Sequence, residues 1–369
     1  MQVAPFRIEQ YYARHEFTAA YTLSSSDAES VAVADLLALE PGAEERLQDM
    51  RLGYTESPGS PSLRRAVAAL YGTAGPEDVV VVSAAEEGIF TAYHALLRPG
   101  DHVVVETPCY ESALELARSA GVEVTEWRRS YADGWAHDLQ AFERALRPDT
   151  RLVYVNTPHN PTGTLMALPV LERVVELVAE RSAWLFCDEV YRELEHDPAD
   201  RLPAAVDLYE RAISLGSMSK TYGLPGLRLG WLASHDRQAL DRVLDFKHYT
   251  TICSSAPSEL LSEIALRHRE ALVERNRVIV RRNLTLLDAF LDRHRRILSW
   301  VRPTASPIGF ARIEDAGDVL AYCERLVAET GVLLLPGTVY DEPAHVRLGF
   351  GRANMPEALA RFGAWLDRQ

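Results

Sequence analysis

Ser217-Met218-Ser219-Lys220-Thr221-Tyr222-Gly223-Leu224-Pro225-Gly226-Leu227-Arg228-Leu229-Gly230-Trp231 sets serines, a lysine, glycines and an arginine between two apolar runs. Those runs, Ala212–Leu215 and Arg228–Ala233, read as strands. A surface loop seldom has this content. A lysine amine forms an imine with an aldehyde, and it becomes nucleophilic when desolvation or neighbouring cations depress its pKa. Hydroxyls and a guanidinium suit a phosphate.

Upstream of this stretch, short β-branched runs alternate with amphipathic ones. Strands are predicted at Val79–Ser83, His102–Glu106, Val122–Trp127, Leu152–Asn156 and Trp184–Asp188. Helices are predicted at Glu86–Leu97, Glu111–Ala120 and Leu168–Glu180. Such alternation makes an α/β fold, a mainly parallel sheet with helices on both faces. Past Pro257 one long helical pattern runs to about Arg296. Strands near Ile308–Ile313, Val332–Leu335 and His345–Phe350 follow, with helices at Ala316–Thr330 and Pro356–Asp367. The expected organisation is a large domain over residues 45–265 and a smaller α+β domain built from residues 1–44 and 266–369.

The 369 residues can bury a large core, and 47% hydrophobic with 25% charged residues is the composition of an ordinary globular protein. A formal net charge of −14 repels nucleic acid and anionic membranes, so neither is an expected partner. The N-terminus has no apolar run flanked by basic residues, and no window approaches a bilayer span. Cys109, Cys187, Cys253 and Cys323 are scattered without a C-x-x-C pair. They read as buried apolar residues in a reducing, cytoplasmic compartment, with no metal implied.

Three further signals lie at predicted strand ends, where open parallel sheets place ligands. Ser83-Ala84-Ala85-Glu86-Glu87 either brings backbone N–H groups to an anion at a helix N-terminus or is a plain helix entry. Asn156-Thr157-Pro158-His159-Asn160-Pro161-Thr162-Gly163 either aims an amide inward or is a structural turn. In Phe186-Cys187-Asp188-Glu189-Val190-Tyr191, a carboxylate ending an apolar strand needs a cation if buried, and a protonated pyridine nitrogen is one. A solvated loop acid is the other reading.

Taken in order, these motifs resemble the fold-type I pyridoxal 5′-phosphate (PLP) enzymes, specifically the class I/II aminotransferases, over essentially the whole chain. The resemblance implies that Lys220 holds the cofactor as a Schiff base and moves the proton at the substrate Cα. Asp188 would pair with the ring nitrogen, keeping the ring an electron sink. Asn160 and Tyr191 would bond the ring oxygen, and Tyr110 would stack on the ring. Ser217, Arg228 and the backbone of Ala85 and Glu86 would hold the phosphate. Arg347 would bind the substrate α-carboxylate, with Asn160 beside it. Tyr54 would reach the phosphate across a subunit interface, which implies a homodimer with shared sites acting on a small amino acid.

The turn Tyr21–Glu29 departs from the common pattern: Ser24-Ser25-Ser26-Asp27 stands where relatives carry a glycine-containing turn, and Ala84 replaces a frequent phosphate-loop glycine. The serine-rich turn, and Lys247–Ser255, resemble capreomycidine synthase and the enduracididine-forming cyclases, which eliminate water from a hydroxylated arginine and close a ring. Ser25 is therefore a candidate substrate contact, and Glu9 and Asp27 are candidates for a guanidinium. Transamination is the preferred reading because it is the commonest outcome on this scaffold. Elimination with cyclisation is the alternative. A non-catalytic regulator comes last, since no segment or basic patch is left for DNA.

Overall fold

The four valines Val79–Val82 form β1 of a seven-stranded sheet in the computed structural model, which describes residues 3–315 and 317–368. The other members are β2 (His102–Thr107), β3 (Glu123–Arg128), β4 (Thr150–Asn156), β5 (Trp184–Asp188), β6 (Ala212–Ser217) and β7 (Gly230–Ala233), in the order β1-β7-β6-β5-β4-β2-β3. Neighbours from β6 to β3 are parallel, and β7 runs against both β6 and β1.

Strand side chains alternate between the faces, as their period of two requires. Val103, Val105, Leu152, Tyr154 and Phe186 pack beneath helices Ala84–Leu96, Ser112–Ser119 and Arg237–Lys247. Val104, Val153, Val155, Leu185 and Cys187 pack against Leu139–Ala145 and Leu168–Glu180. Each such buried aliphatic side chain contributes about 1.5–3 kcal/mol, and covering both faces is what lets the central strands be apolar throughout.

A second, antiparallel sheet contains β8 (Leu298–Trp300), β9 (Ile308–Ile313), β10 (Leu335–Pro336) and β11 (His345–Gly349), in the order β10-β11-β9-β8. Its core includes Phe310, Val346, Leu348, Phe362 and Trp365, and the N-terminal Ile8, Tyr11 and Leu23 pack into it. Helix Arg269–Arg293 joins the two cores: Leu272 and Val273 pack with the first lobe, and Val280, Leu284, Leu287 and Leu291 with the second. Leu36 and Ala43 pack with Val79 and Ala265.

Several elements differ from the sequence expectation. The predicted strand Arg228–Ala233 begins only at Gly230, because the short 3₁₀ turn Pro225–Leu227 leaves Arg228 left-handed at φ 48°. The long helical pattern is two helices, Ala256–Arg267 and Arg269–Arg293, broken where His268 leaves helical dihedrals. Of Val332–Leu335 only Leu335 belongs to a strand of the sheet; Val332 instead bridges in parallel to Tyr21. The helix expected from Ala316 starts at Val319 under an Asp318 cap, and Ala316 lies outside the described residues. Helix Leu139–Ala145 and strand β8 carry patterns too short to predict.

Candidate active site

Five chain segments leave the same edge of the large sheet and meet at one cavity of about 390 Å³. After β1 comes Ala84-Ala85-Glu86, at the N-terminus of helix Ala84–Leu96, with Ala84 in a left-handed conformation at φ 68°. After β2 comes Tyr110, after β4 Asn160, after β5 Tyr191, and after β6 Ser219 and Lys220; Asp188 and Ser217 end their own strands. Close packing fixes the turn: a Cβ on Gly230 would meet Gly216 O at 2.8 Å and the Ala84 carbonyl carbon at 3.0 Å. Sequence reasoning thus named Ala85, Glu86, Tyr110, Asn160, Asp188, Tyr191, Ser217, Lys220 and Arg228 as one site, and all nine line this cavity.

Lys220 Nζ donates to Ser26 Oγ at 2.7 Å. Burial pulls the lysine pKa below its ordinary value. Asp188 is buried, accepting from Tyr154 OH at 3.0 Å and from Val190 N at 3.2 Å. Burial raises its pKa to about 6, because those bonds supply no full positive charge. The Tyr191 hydroxyl is buried and makes no hydrogen bond of good geometry among the described residues, with Ser26 as its polar neighbour. Among the described residues the Arg228 guanidinium bonds only the Pro225 carbonyl, at 3.0 Å, and has no carboxylate partner.

Arg347 lies on β11 behind the cavity wall. Its Nη1 donates to Tyr340 OH at 2.6 Å and Asn160 Oδ1 at 3.2 Å, and its Nη2 to Tyr12 OH at 2.8 Å and Ser24 O at 3.0 Å. This is a buried guanidinium with neutral acceptors and no ion-pair partner among the described residues, an arrangement that calls for an anion. Tyr340 OH also donates to Asn160 Oδ1, at 3.1 Å. With its oxygen so occupied, the Asn160 amide has only N–H donors to offer the cavity.

One wall of the cavity is acidic. Glu9 and Glu16, from helix Arg7–His15 and its C-cap, line it together with Ser25 and Asp27. Glu9 accepts from Tyr110 OH at 3.0 Å. Burial, then Glu9 and Asp27, raise the Glu16 pKa. Burial raises Glu86 to about 7. Asp27 is not available as a lone anion: Arg352 Nη2 reaches both its oxygens, at 3.0 and 2.8 Å. Tyr54 is 92% exposed and away from the cavity.

Ser26, Tyr12, Glu16, Tyr340 and Tyr154 were not legible as site residues. Ser26 stood inside a turn already singled out; the others carry no motif. Glu106 also escaped notice: buried, it accepts from Arg129 Nη1 at 2.9 Å, His137 Nε2 at 2.8 Å and Asn156 N at 3.0 Å, and so anchors the loop bearing Asn160.

A lysine, a buried acid and a phosphate-like cup at the carboxyl ends of a mainly parallel sheet define a fold-type I PLP enzyme. The chain belongs to the aminotransferase class I and II family, whose model matches residues 23–362. It is 33% identical over 368 residues to capreomycidine synthase of Streptomyces vinaceus, covering 96% of this chain and 91% of that protein. It is 28% identical over 342 residues to an aspartate aminotransferase of Thermotoga maritima, covering 89% and 88%. Among solved structures, a PLP-dependent aminotransferase of Streptococcus suis superposes with a TM-score of 0.94 at 32% identity, covering 100% of this chain and 99% of that one. The PLP-dependent cyclase OrfR superposes with 0.93 at 28%, covering 100% and 98%. The cofactor is therefore PLP. The residues suit it: a buried phenol, a buried acid and an arginine, the latter two without an ion-pair partner among the described residues, face one cavity with Lys220. No helix among the described residues is long and apolar enough to cross a membrane.

Proposed function

We propose that this enzyme acts on an L-α-amino acid with a cationic side chain and completes elimination or cyclisation on that one substrate. The carrying observation is the acidic wall of Glu9 and Glu16 in a cavity backed by the unpaired guanidinium of Arg347. Arg347 receives the α-carboxylate through Tyr12 and Asn160, and the acidic wall offsets the desolvation of a guanidinium or ammonium. An aminotransferase that used 2-oxoglutarate would also have to admit its second carboxylate, which would meet Glu9 and Glu16. The 33% identity to capreomycidine synthase supports the same reading.

When bound, PLP supplies an electron sink for the pair left at Cα. Lys220 holds it and carries the Cα proton; its lowered pKa favours the free base this requires. Asp188 would keep the ring nitrogen protonated, Asn160 and Tyr191 would bond the ring oxygen, and Tyr110 would cover the ring. Ser217, Arg228 and the Ala85 and Glu86 amides take the phosphate. Ser25, on the cavity wall, is assigned a substrate contact.

Transamination, the reading preferred from sequence, is the second, supported by the likeness to the Thermotoga enzyme and by needing the same residues. We read the working unit as a cytoplasmic homodimer. Leu52, Tyr54 and Tyr249 are 82%, 92% and 91% exposed, and their segments adjoin through the 3.1 Å bond from Thr55 Oγ1 to Ser254 O. Such apolar exposure suits a subunit interface. The lobes are read as residues 45–265 and as 1–44 with 266–369, although the packing of Leu36 and Ala43 favours moving the first boundary toward residue 30.

Acceptor dependence tests the reaction. The enzyme is incubated with arginine, hydroxyarginines and other amino acids, with and without 2-oxoglutarate, and products are identified by mass. Turnover of a cationic substrate without acceptor, lost in Glu9→Gln, is expected. Keto acid formation strictly coupled to glutamate production would overturn the proposal in favour of transamination.

A further inference from the structure

Residues 22–30 form a strap that runs between Lys220 and β11. It is held from both lobes. Ala28 N bonds Lys220 O at 3.4 Å, Gly349 N bonds Leu23 O at 2.9 Å, and Asp27 pairs with Arg352. Glycines admit its backbone: an added Cβ would lie 2.1 Å from Ser25 O at Gly349, 2.3 Å from Asp27 O at Gly351 and 2.6 Å from Glu29 O at Gly223. A strap clamped at this closeness fixes the direction of its side chains, and Ser26 points its hydroxyl at the Lys220 amine, 2.7 Å away.

From this geometry we propose that Ser26 is a positioning residue, whose hydroxyl receives the Lys220 amine when that nitrogen is released from the cofactor and holds it in place for proton transfer at Cα. The proposal rests on the assignment of Lys220 as the cofactor lysine, and it holds for elimination and transamination alike. A lysine that gives up its covalent bond regains four rotatable bonds, and proton transfer is efficient only while its nitrogen stays near the reacting carbon. An oxygen acceptor on a rigid strap limits that freedom.

The same contact tunes the base. A hydroxyl accepting from nitrogen favours the ammonium form. The charged groups acting on Lys220 include Asp27 from the strap, Arg347 from β11, Glu9 and Glu16 from the N-terminal helix and its C-cap, and Asp188 from β5. Burial and Arg347 favour the neutral amine; Asp27, Glu9, Glu16, Asp188 and Ser26 favour the charged one. Removing the hydroxyl shifts this balance toward the neutral amine.

The test uses Ser26→Ala and Ser26→Thr. In the loaded enzyme, exchange of the substrate Cα proton with deuterated solvent is followed by mass, alongside KM, thermal midpoint and the pH titration of cofactor absorbance. In stripped protein, the pH-dependent reaction of Lys220 with an amine reagent is mapped by peptide. Ser26→Ala is expected to slow exchange about tenfold or more with KM and thermal midpoint little changed, as loss of one hydrogen bond to a charged group implies. Lys220 labelling should move to lower pH, and Ser26→Thr should restore most of both. Exchange within twofold of wild type in Ser26→Ala, unmoved labelling, or equal losses in both variants would refute the role of Ser26. If borohydride instead fixes the cofactor on another lysine, the assignment of Lys220 fails first.

Discussion

Asp188→Asn exchanges a buried carboxylate for an amide of the same shape, and the consequences for stripped and loaded protein have opposite signs. In the stripped protein, burial lifts the carboxyl from 3.8 to about 6, so the fold binds this proton more tightly than the unfolded chain does. Stability then falls as pH rises from about 4 to about 6 and stays lower above that window. The shift corresponds to about 3 kcal/mol at pH 8. Asparagine has no charge to desolvate, yet one oxygen cannot serve both Tyr154 OH and Val190 N as the two carboxylate oxygens do, which costs about 1 kcal/mol. The stripped variant should therefore be about 2 kcal/mol more stable than wild type at pH 8, and not at pH 4.5. Urea denaturation of both proteins at the two pH values measures the difference. In the loaded enzyme the same substitution removes the proposed partner of the ring nitrogen, and Cα-proton removal should slow by on the order of 10³-fold. Parallel changes in the two proteins between pH 4.5 and 8, or a less stable variant at pH 8, would refute the reasoning.

Borohydride reduction should leave the cofactor on the peptide containing Lys220, and Lys220→Ala should lose the imine absorbance and turnover while keeping a cooperative melt. Arg347→Met leaves Asn160, Tyr12 and Tyr340 without their common cation; KM for the amino acid should rise by on the order of 100-fold, the range for a lost charge-assisted pair, and an unchanged KM would remove Arg347 from the substrate site. Mixing Tyr54→Phe with Lys220→Ala should restore part of the activity through hybrid sites if Tyr54 serves a neighbouring subunit; full activity of a diluted monomer would contradict this.

The large lobe was readable because its signals are local. Trp184–Asp188 and Leu168–Glu180 match the observed bounds, since a short apolar strand and an amphipathic helix each complete their period within a few residues. The residues assigned to the cofactor were readable for a related reason: they sit at strand ends or in the loops that join strands, so sequence adjacency and spatial adjacency coincide. Ser26 and Tyr12 fail that condition. Their partners Lys220 and Arg347 lie 194 and 335 residues away, and nothing local marks the contact. Arg347 itself was found through resemblance alone, because an arginine on a short strand looks exposed until its tyrosine neighbours are placed. Asp27 shows the reverse error, an acid that seemed free until Arg352 appeared beside it.

The strap also carries a consequence for how the chain is made. Ser24 and its acceptor role toward Arg347 are separated by 323 residues, so the strap leaves the ribosome long before β11 exists to receive it. At 5–20 residues per second, the interval is roughly 15–65 s. Through that time Ser24, Ser25 and Ser26 have no β11 to dock against, while the large sheet can already be complete. The cavity thus closes only late in synthesis, and a nascent chain stalled before Arg347 would display a finished Lys220 loop with its opposite wall missing.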